Sequence, residues 1–242
     1  MAINTNNIIK NTGFSLPSSV IPASTDYVAK VTNFDANILE TYTDKRNRTF
    51  PPPPDQYTGT NGNLPESELK YLTGIGKHFA KYKLQKDATN AFIEAVKAMQ
   101  KVGLKPSFAS PISAYRDYNG QYNVVDQSKW IKTGQQGPGK ARFLTRSGYA
   151  AACPGTSNHG LGVAVDLTAN TSKMKKKVQC WMKWFGIDYG WYWAGLNIKG
   201  ENWHFVYNPG KAKTFGRKTS GWNDEKKLVE GYCSVDIQEL KP

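Results

Sequence analysis

Apolar positions along this chain are ordered only in its middle. Between Asp87 and Gly103, the residues Phe92, Ala95, Val96 and Met99 form one stripe, which predicts a helix with Asp87 as N-cap and Gly103 at its stop. Ser172 to Phe185 is predicted as a second helix, ended by Gly186. Glu66 to Gln85 is read as a further helical segment, interrupted by Gly74 and Gly76. Strand-like runs occur at Ser107–Ser113, Val163–Leu167 and Trp203–Tyr207, the last closed by the turn residues Asn208, Pro209 and Gly210. No internal repeat is present.

The two ends have a different texture. Up to about Phe50 the chain is rich in Asn, Thr and Ser, with short β-prone pieces at Ser18–Ile21 and Tyr27–Val31. Pro51 to Pro54 and a polar Gly/Asn stretch to Asn63 follow, and consecutive prolines stiffen into an extended form that lacks backbone donors. The expected organisation is an extended arm or small docking region over 1–64, a main domain over 65–215 and an extension over 216–242. The arm before Pro65 is expected to be dispensable for action on small substrates.

Composition narrows the possibilities. The 242 residues carry enough apolar and aromatic side chains for a packed core, and no apolar run reaches membrane-spanning length. The start, MAINTNNIIKN, lacks the basic and apolar regions of a secretory signal, so none is expected. A formal net charge of +13 points to an anionic partner, either nucleic acid or an acidic wall polymer. The basic residues are scattered apart from Lys173–Lys177, which reads as a solvated helix face, and no nucleic-acid motif is present, so nucleic acid is disfavoured. Cys153, Cys180 and Cys233 are odd in number and form no CxxC pair, so no disulfide framework is expected. Trp181, Trp184, Trp191 and Trp193 are assigned to core packing in preference to a glycan-stacking surface.

Chemistry concentrates in three clusters: Ser113–Arg116 (SAYR), Ser157–Asp166 (SNHGLGVAVD) and Glu201–His204 (ENWH). They hold two of the three histidines, His159 and His204; His78 lies elsewhere. Gly160 and Gly162 allow a tight loop after His159, and the following strand places Ala164 and Asp166 on one face. An aspartate in an apolar strand is costly unless paired or metal-bound. In an ideal strand Glu201 and His204 would point to opposite faces, so the glutamate is placed in an irregular turn. Metal ligands, a base and the cation Arg116 are the parts of a metal-dependent hydrolase. Cys153, six residues before His159, is near enough in sequence to be a fourth ligand, but a hydrolytic site needs an open coordination position, so it is not assigned to the metal.

The pattern S-x-H-x-x-G-x-A-x-D at Ser157, His159, Gly162, Ala164 and Asp166, with E-x-W-H at Glu201, Trp203 and His204 and S-x-Y-R at Ser113, Tyr115 and Arg116, resembles the VanY-like D-alanyl-D-alanine carboxypeptidases. These are peptidoglycan metallopeptidases that share the hedgehog-type fold. The resemblance covers about Pro65 to Pro209. It implies an α+β fold, a small antiparallel sheet with helices packed on it and a zinc site in a cleft on the sheet. It further implies zinc bound by His159, Asp166 and His204, with Glu201 as general base. Arg116 would face a substrate carboxylate or oxyanion, Ser157 would bind substrate, and Trp203 would shape the pocket. Two activities fit one ligand set, a carboxypeptidase removing a terminal D-alanine and an endopeptidase cutting within the stem or cross-bridge. A hedgehog-like zinc module without catalysis is the alternative. A basic wall-cutting enzyme with a proline-rich arm also suggests a bacteriophage endolysin or virion-associated lysin. That origin would place it in the virion or in host cytoplasm before release to the wall, with other virion proteins as possible partners of the arm.

Overall fold

A computed structural model of the chain describes residues 42–43, 49–50, 54–56, 58–131, 142–145, 150–194, 201–210, 212, 233 and 240–241. In chain order the elements begin with the paired strands β1 (Tyr42–Thr43) and β2 (Thr49–Phe50), then β3 (Leu69–Tyr71), β4 (Lys83–Gln85) and helix α1 (Lys86–Lys101). There follow β5 (Ser107–Phe108), helix α2 (Tyr118–Val124), β6 (Val125–Ile131), β7 (Arg142–Thr145) and β8 (Ala150–Ala152). The last are β9 (Ala164–Thr168), helix α3 (Ser172–Phe185), β10 (Trp191–Trp193) and β11 (His204–Tyr207). The β-prone pieces at Ser18–Ile21 and Tyr27–Val31 lie outside the described residues.

The central sheet has the order β10-β11-β9-β5, with every pairing antiparallel. Strand alternation splits its side chains cleanly. Val165, Leu167, Phe205, Tyr207 and Trp191 turn to one face and are buried with α1 and α3. On that face Phe92 of α1 stacks on Phe108 at a centroid distance of 5.6 Å and meets Trp191 edge-on at 5.5 Å. A buried aromatic of this kind contributes about 1.5–3 kcal/mol, and truncating it to alanine typically costs about 3–5 kcal/mol. Asp166 and His204 lie on the opposite face, where they are cross-strand partners. Strands β6 to β8 form a separate three-stranded antiparallel sheet.

The predicted stripe of α1 is fully buried, and α3 spans the residues expected of it, with the Thr171 hydroxyl accepting Met174 N. The cap of α1 differs: the Gln85 side chain, not Asp87, accepts from Asp87 N and Ala88 N at 2.9 and 3.2 Å. Asp87 instead sits in the first turn, where its charge complements the helix dipole. Residues 66–85 do not form a helix. A 3-10 turn at Glu66–Glu68 leads into β3, which pairs with β4. Gly76, at φ +128, holds a conformation that no continuous helix contains. The strand expected over Ser107–Ser113 stops at Phe108, because Pro111 offers no donor and the Ser113 hydroxyl accepts Ser110 N. Trp181 and Trp191 are core residues, as expected, while Trp184 and Trp193 pack half-buried against the core.

The cysteines require a correction. Cys180, on the buried side of α3, is disulfide-bonded to Cys233, while Cys153 is free and buried. The pair is 53 residues apart in sequence, so local spacing gave no hint of it.

Candidate metal centre and active site

Asp166 stands in the middle of β9 directly across from His204, the first residue of β11. Backbone bonds clamp it on its other edge, with Ala109 N donating to Asp166 O at 3.3 Å and Asp166 N donating to Ser113 O at 3.0 Å. Residues 110–112 therefore bulge outward between two anchored points, and the chain after the bulge is delivered to the site as SAYR. His159 arrives from the turn Ser157–Gly162, which closes through Gly160 N to Ser157 O and Gly162 N to His159 O, each at 3.0 Å.

The three side chains converge. Asp166 Oδ1 lies 2.9 Å from His204 Nδ1, and Asp166 Oδ2 lies 3.3 Å from His159 Nε2. One ligand atom from each residue falls within 4.8 Å of the others, making this a group able to hold a metal ion. Zinc bonds of about 2.0–2.2 Å in a tetrahedral shell put ligand atoms roughly 3.3–3.6 Å apart, close to the 2.9 and 3.3 Å found here. The donor chemistry fits as well. His159 Nδ1 donates to the Ala114 carbonyl at 2.9 Å, which in the neutral ring leaves the Nε2 lone pair aimed at a carboxylate. Two facing electron-rich atoms in a buried place call for a cation between them. Burial lowers the His159 pKa against the pull of Asp166, so a proton is a poor choice for that cation. Burial also opposes ionisation of Asp166. Its interactions with His159 and His204 outweigh that cost and hold the carboxyl well below the ordinary carboxylate range.

Arg116 is buried at 8% exposure beside this group. Its Nε and Nη2 donate to the Ile112 carbonyl at 3.2 and 3.0 Å, and Nη1 donates to Gln121 Oε1 at 2.6 Å. These bonds fix the fork without exhausting its donors. Burial lowers its pKa, and the Asp166 charge partly opposes that fall. Gln121, held in turn by donating to the Ala152 carbonyl at 2.7 Å, was not singled out from the sequence. Its one signal there was a place five residues after Arg116.

Ser157 is buried, and its hydroxyl accepts His159 N at 3.2 Å. Glu201 lies half-buried just before the turn into β11, off the strand as expected; its carbonyl accepts His204 N at 3.4 Å and Trp193 Nε1 at 3.0 Å. Trp203 is half-buried, with its carbonyl accepting Leu167 N at 2.9 Å. Cys153 is not a member of the metal-binding group, and burial pushes its thiol up to about 12. His78 is exposed and bonded to the Pro106 carbonyl.

A segment assigned to the arm is bound into the site. Asn61 Nδ2 donates to Ser157 O at 3.0 Å, Gly62 N to Gly160 O at 2.7 Å, and Tyr118 N to Gly62 O at 2.9 Å. Leu64 N donates to the Tyr115 hydroxyl at 3.2 Å. Residues 61–64 thus strap the SAYR segment to the His159 turn. The strap passes so close that a side chain at Gly160 would collide with Asn61.

The family model described as D-alanyl-D-alanine carboxypeptidase (VanY) matches residues 81–210, more than half of the chain. No curated protein matches. Among solved structures, the chain is similar to a vancomycin-resistance D,D-pentapeptidase VanY from a VanB-type cassette in complex with Zn(II). That match has 20% identity and a TM-score of 0.44, covering 75% of this chain and 93% of the other. VanYB in complex with D-alanine-D-alanine gives 21% identity, a TM-score of 0.44 and coverage of 77% and 94%. The LD-carboxypeptidase LdcB gives 20%, 0.43, and 74% and 81%.

Proposed function

The chain belongs to the D-alanyl-D-alanine carboxypeptidase (VanY) family, and we propose that it is a zinc-dependent peptidase acting on the stem peptides of bacterial peptidoglycan. The observation that carries this reading is the convergence of His159, Asp166 and His204 from a turn and two adjacent strands. Zinc held by these three supplies Lewis-acid polarisation of the scissile carbonyl and acidifies water.

The rest is the work of the chain's own groups. The Glu201 carboxylate takes the proton of the attacking water and passes it to the leaving amine, so that peptide and water become a carboxylic acid and an amine. The residual donors of Arg116 meet negative charge, either a terminal substrate carboxylate or the developing oxyanion, in a buried place where such contacts are strong. Ser157 lines the substrate side of the His159 turn, and Trp203 shapes the pocket wall. A preorganised cation suits a chain terminus, so removal of a terminal D-alanine is the reading favoured over internal cleavage. Release or carriage by a bacteriophage is part of the proposal. The net charge of +13 suits anionic wall polymers, and the Cys180–Cys233 disulfide suits surroundings more oxidising than a cytoplasm.

The test is zinc analysis combined with mass spectrometry of soluble muropeptides after digestion, before and after chelation. Loss of one terminal alanine, abolished by the chelator and in Glu201→Ala, is expected. Cleavage of cross-linked stems would move the assignment to an endopeptidase. Zinc binding without any hydrolysis would make the protein a non-catalytic module.

A further inference from the structure

Lys183 lies in the last turn of α3, yet it is only 2% exposed. Lysines are rarely buried so completely, because the ammonium must shed water that few protein contacts replace. Its surroundings show what the chain obtains. Nζ sits 3.6 Å from the centroid of the Trp193 ring and 3.1 Å from Asn202 Oδ1, to which it donates. The indole N–H of the same Trp193 donates to the Glu201 carbonyl at 3.0 Å. Asn202 directly follows Glu201, and His204 N donates to that same carbonyl. One lysine therefore grips both neighbours of the Glu201 peptide from behind the sheet.

We infer that Lys183 is a positioning residue for Glu201, fixing it through Trp193 and Asn202 at the height from which its carboxylate serves the reaction. The inference rests on the reading of Glu201 as the base. A helix-borne lysine is a suitable anchor because α3 is rigid and capped by Thr171, whereas Glu201 and Asn202 precede the strand and have no ladder of their own. The flat ring of Trp193 sets the distance from the lysine below, and its N–H sets the direction of the carbonyl.

The test compares Lys183→Met, Trp193→Phe, the double variant and Glu201→Ala on soluble pentapeptide muropeptides. The kcat of Lys183→Met and of Trp193→Phe is expected to fall tenfold or more, with KM and zinc content within twofold of the parent. The double variant should be no slower than the slower single one, because both act through one contact. The Trp193 indole N–H resonance should shift in Lys183→Met, a readout independent of turnover. A kcat within twofold of the parent, multiplicative losses, or a defect confined to KM or zinc content would overturn the inference. Undiminished turnover by Glu201→Ala would remove the base itself and the inference with it, an outcome distinct from failure of Lys183 alone.

Discussion

Removing residues 1–64 is expected to damage the site more than removing residues 1–53. The difference is the strap. Asn61 Nδ2 to Ser157 O, Gly62 N to Gly160 O, Tyr118 N to Gly62 O and Leu64 N to the Tyr115 hydroxyl are all lost in the longer deletion. At about 1 kcal/mol for each bond, and more where a buried carbonyl is left without a donor, the loss comes to roughly 4–6 kcal/mol. That is a large share of the ~5–15 kcal/mol that keeps an ordinary domain folded. The damage is local as well as global, because Ser157, His159 and Gly160 form one turn. A turn ordered only part of the time weakens apparent zinc affinity by the fraction that is competent, and a tenfold loss is expected. Urea denaturation and chelator-competition titration of zinc, run on both truncations, measure the two effects. Equal urea midpoints and equal zinc affinities for the two would refute the reasoning.

Two further outcomes follow from the structure. Replacing Cys180 and Cys233 together by alanine reopens a 53-residue loop in the unfolded chain, for an expected loss of about 4 kcal/mol in urea denaturation, while hydrolysis at low temperature persists. Lys183, by contrast, should make the fold weaker on the acid side. Burial lowers its pKa from 10.5 to about 7, so the unfolded chain binds more protons between those values and stability rises with pH across that window. At about 1.4 kcal/mol per pH unit the rise is at most about 5 kcal/mol, and roughly 3 kcal/mol once the Trp193 contact and residual solvation are allowed for. Lys183→Met should flatten the slope of unfolding free energy between pH 7 and 10; an unchanged slope would contradict the assignment.

What was legible in the sequence followed from chemistry written in side chains. The α1 stripe has a helical period, and the ligand clusters sit beside glycines and β-branched residues that announce a turn and a strand. Other features were hidden for definite reasons. Leu69, Leu72, Ile75 and Phe79 imitate a helical period, and the positive φ of Gly74 and Gly76 shows that the chain turns there. The Ala114 carbonyl that orients His159 belongs to the main chain and has no sequence code. Asn61 resembled linker composition because a buried polar side chain and a solvated one look alike in a Gly/Asn stretch. Cys180 and Cys233 were obscured by distance and by an odd third cysteine.

The facing of Asp166 and His204 across two strands has a consequence for how this protein comes into being. These residues are 38 positions apart and meet only when β9 and β11 pair in one alignment. A slip of one residue would send one partner to the far side of the sheet and dissolve the ligand set. A nascent or misassembled chain is therefore inert, and the competence to cut arises only as the final alignment locks. For the wall peptidase proposed above, the fold itself acts as the safety catch.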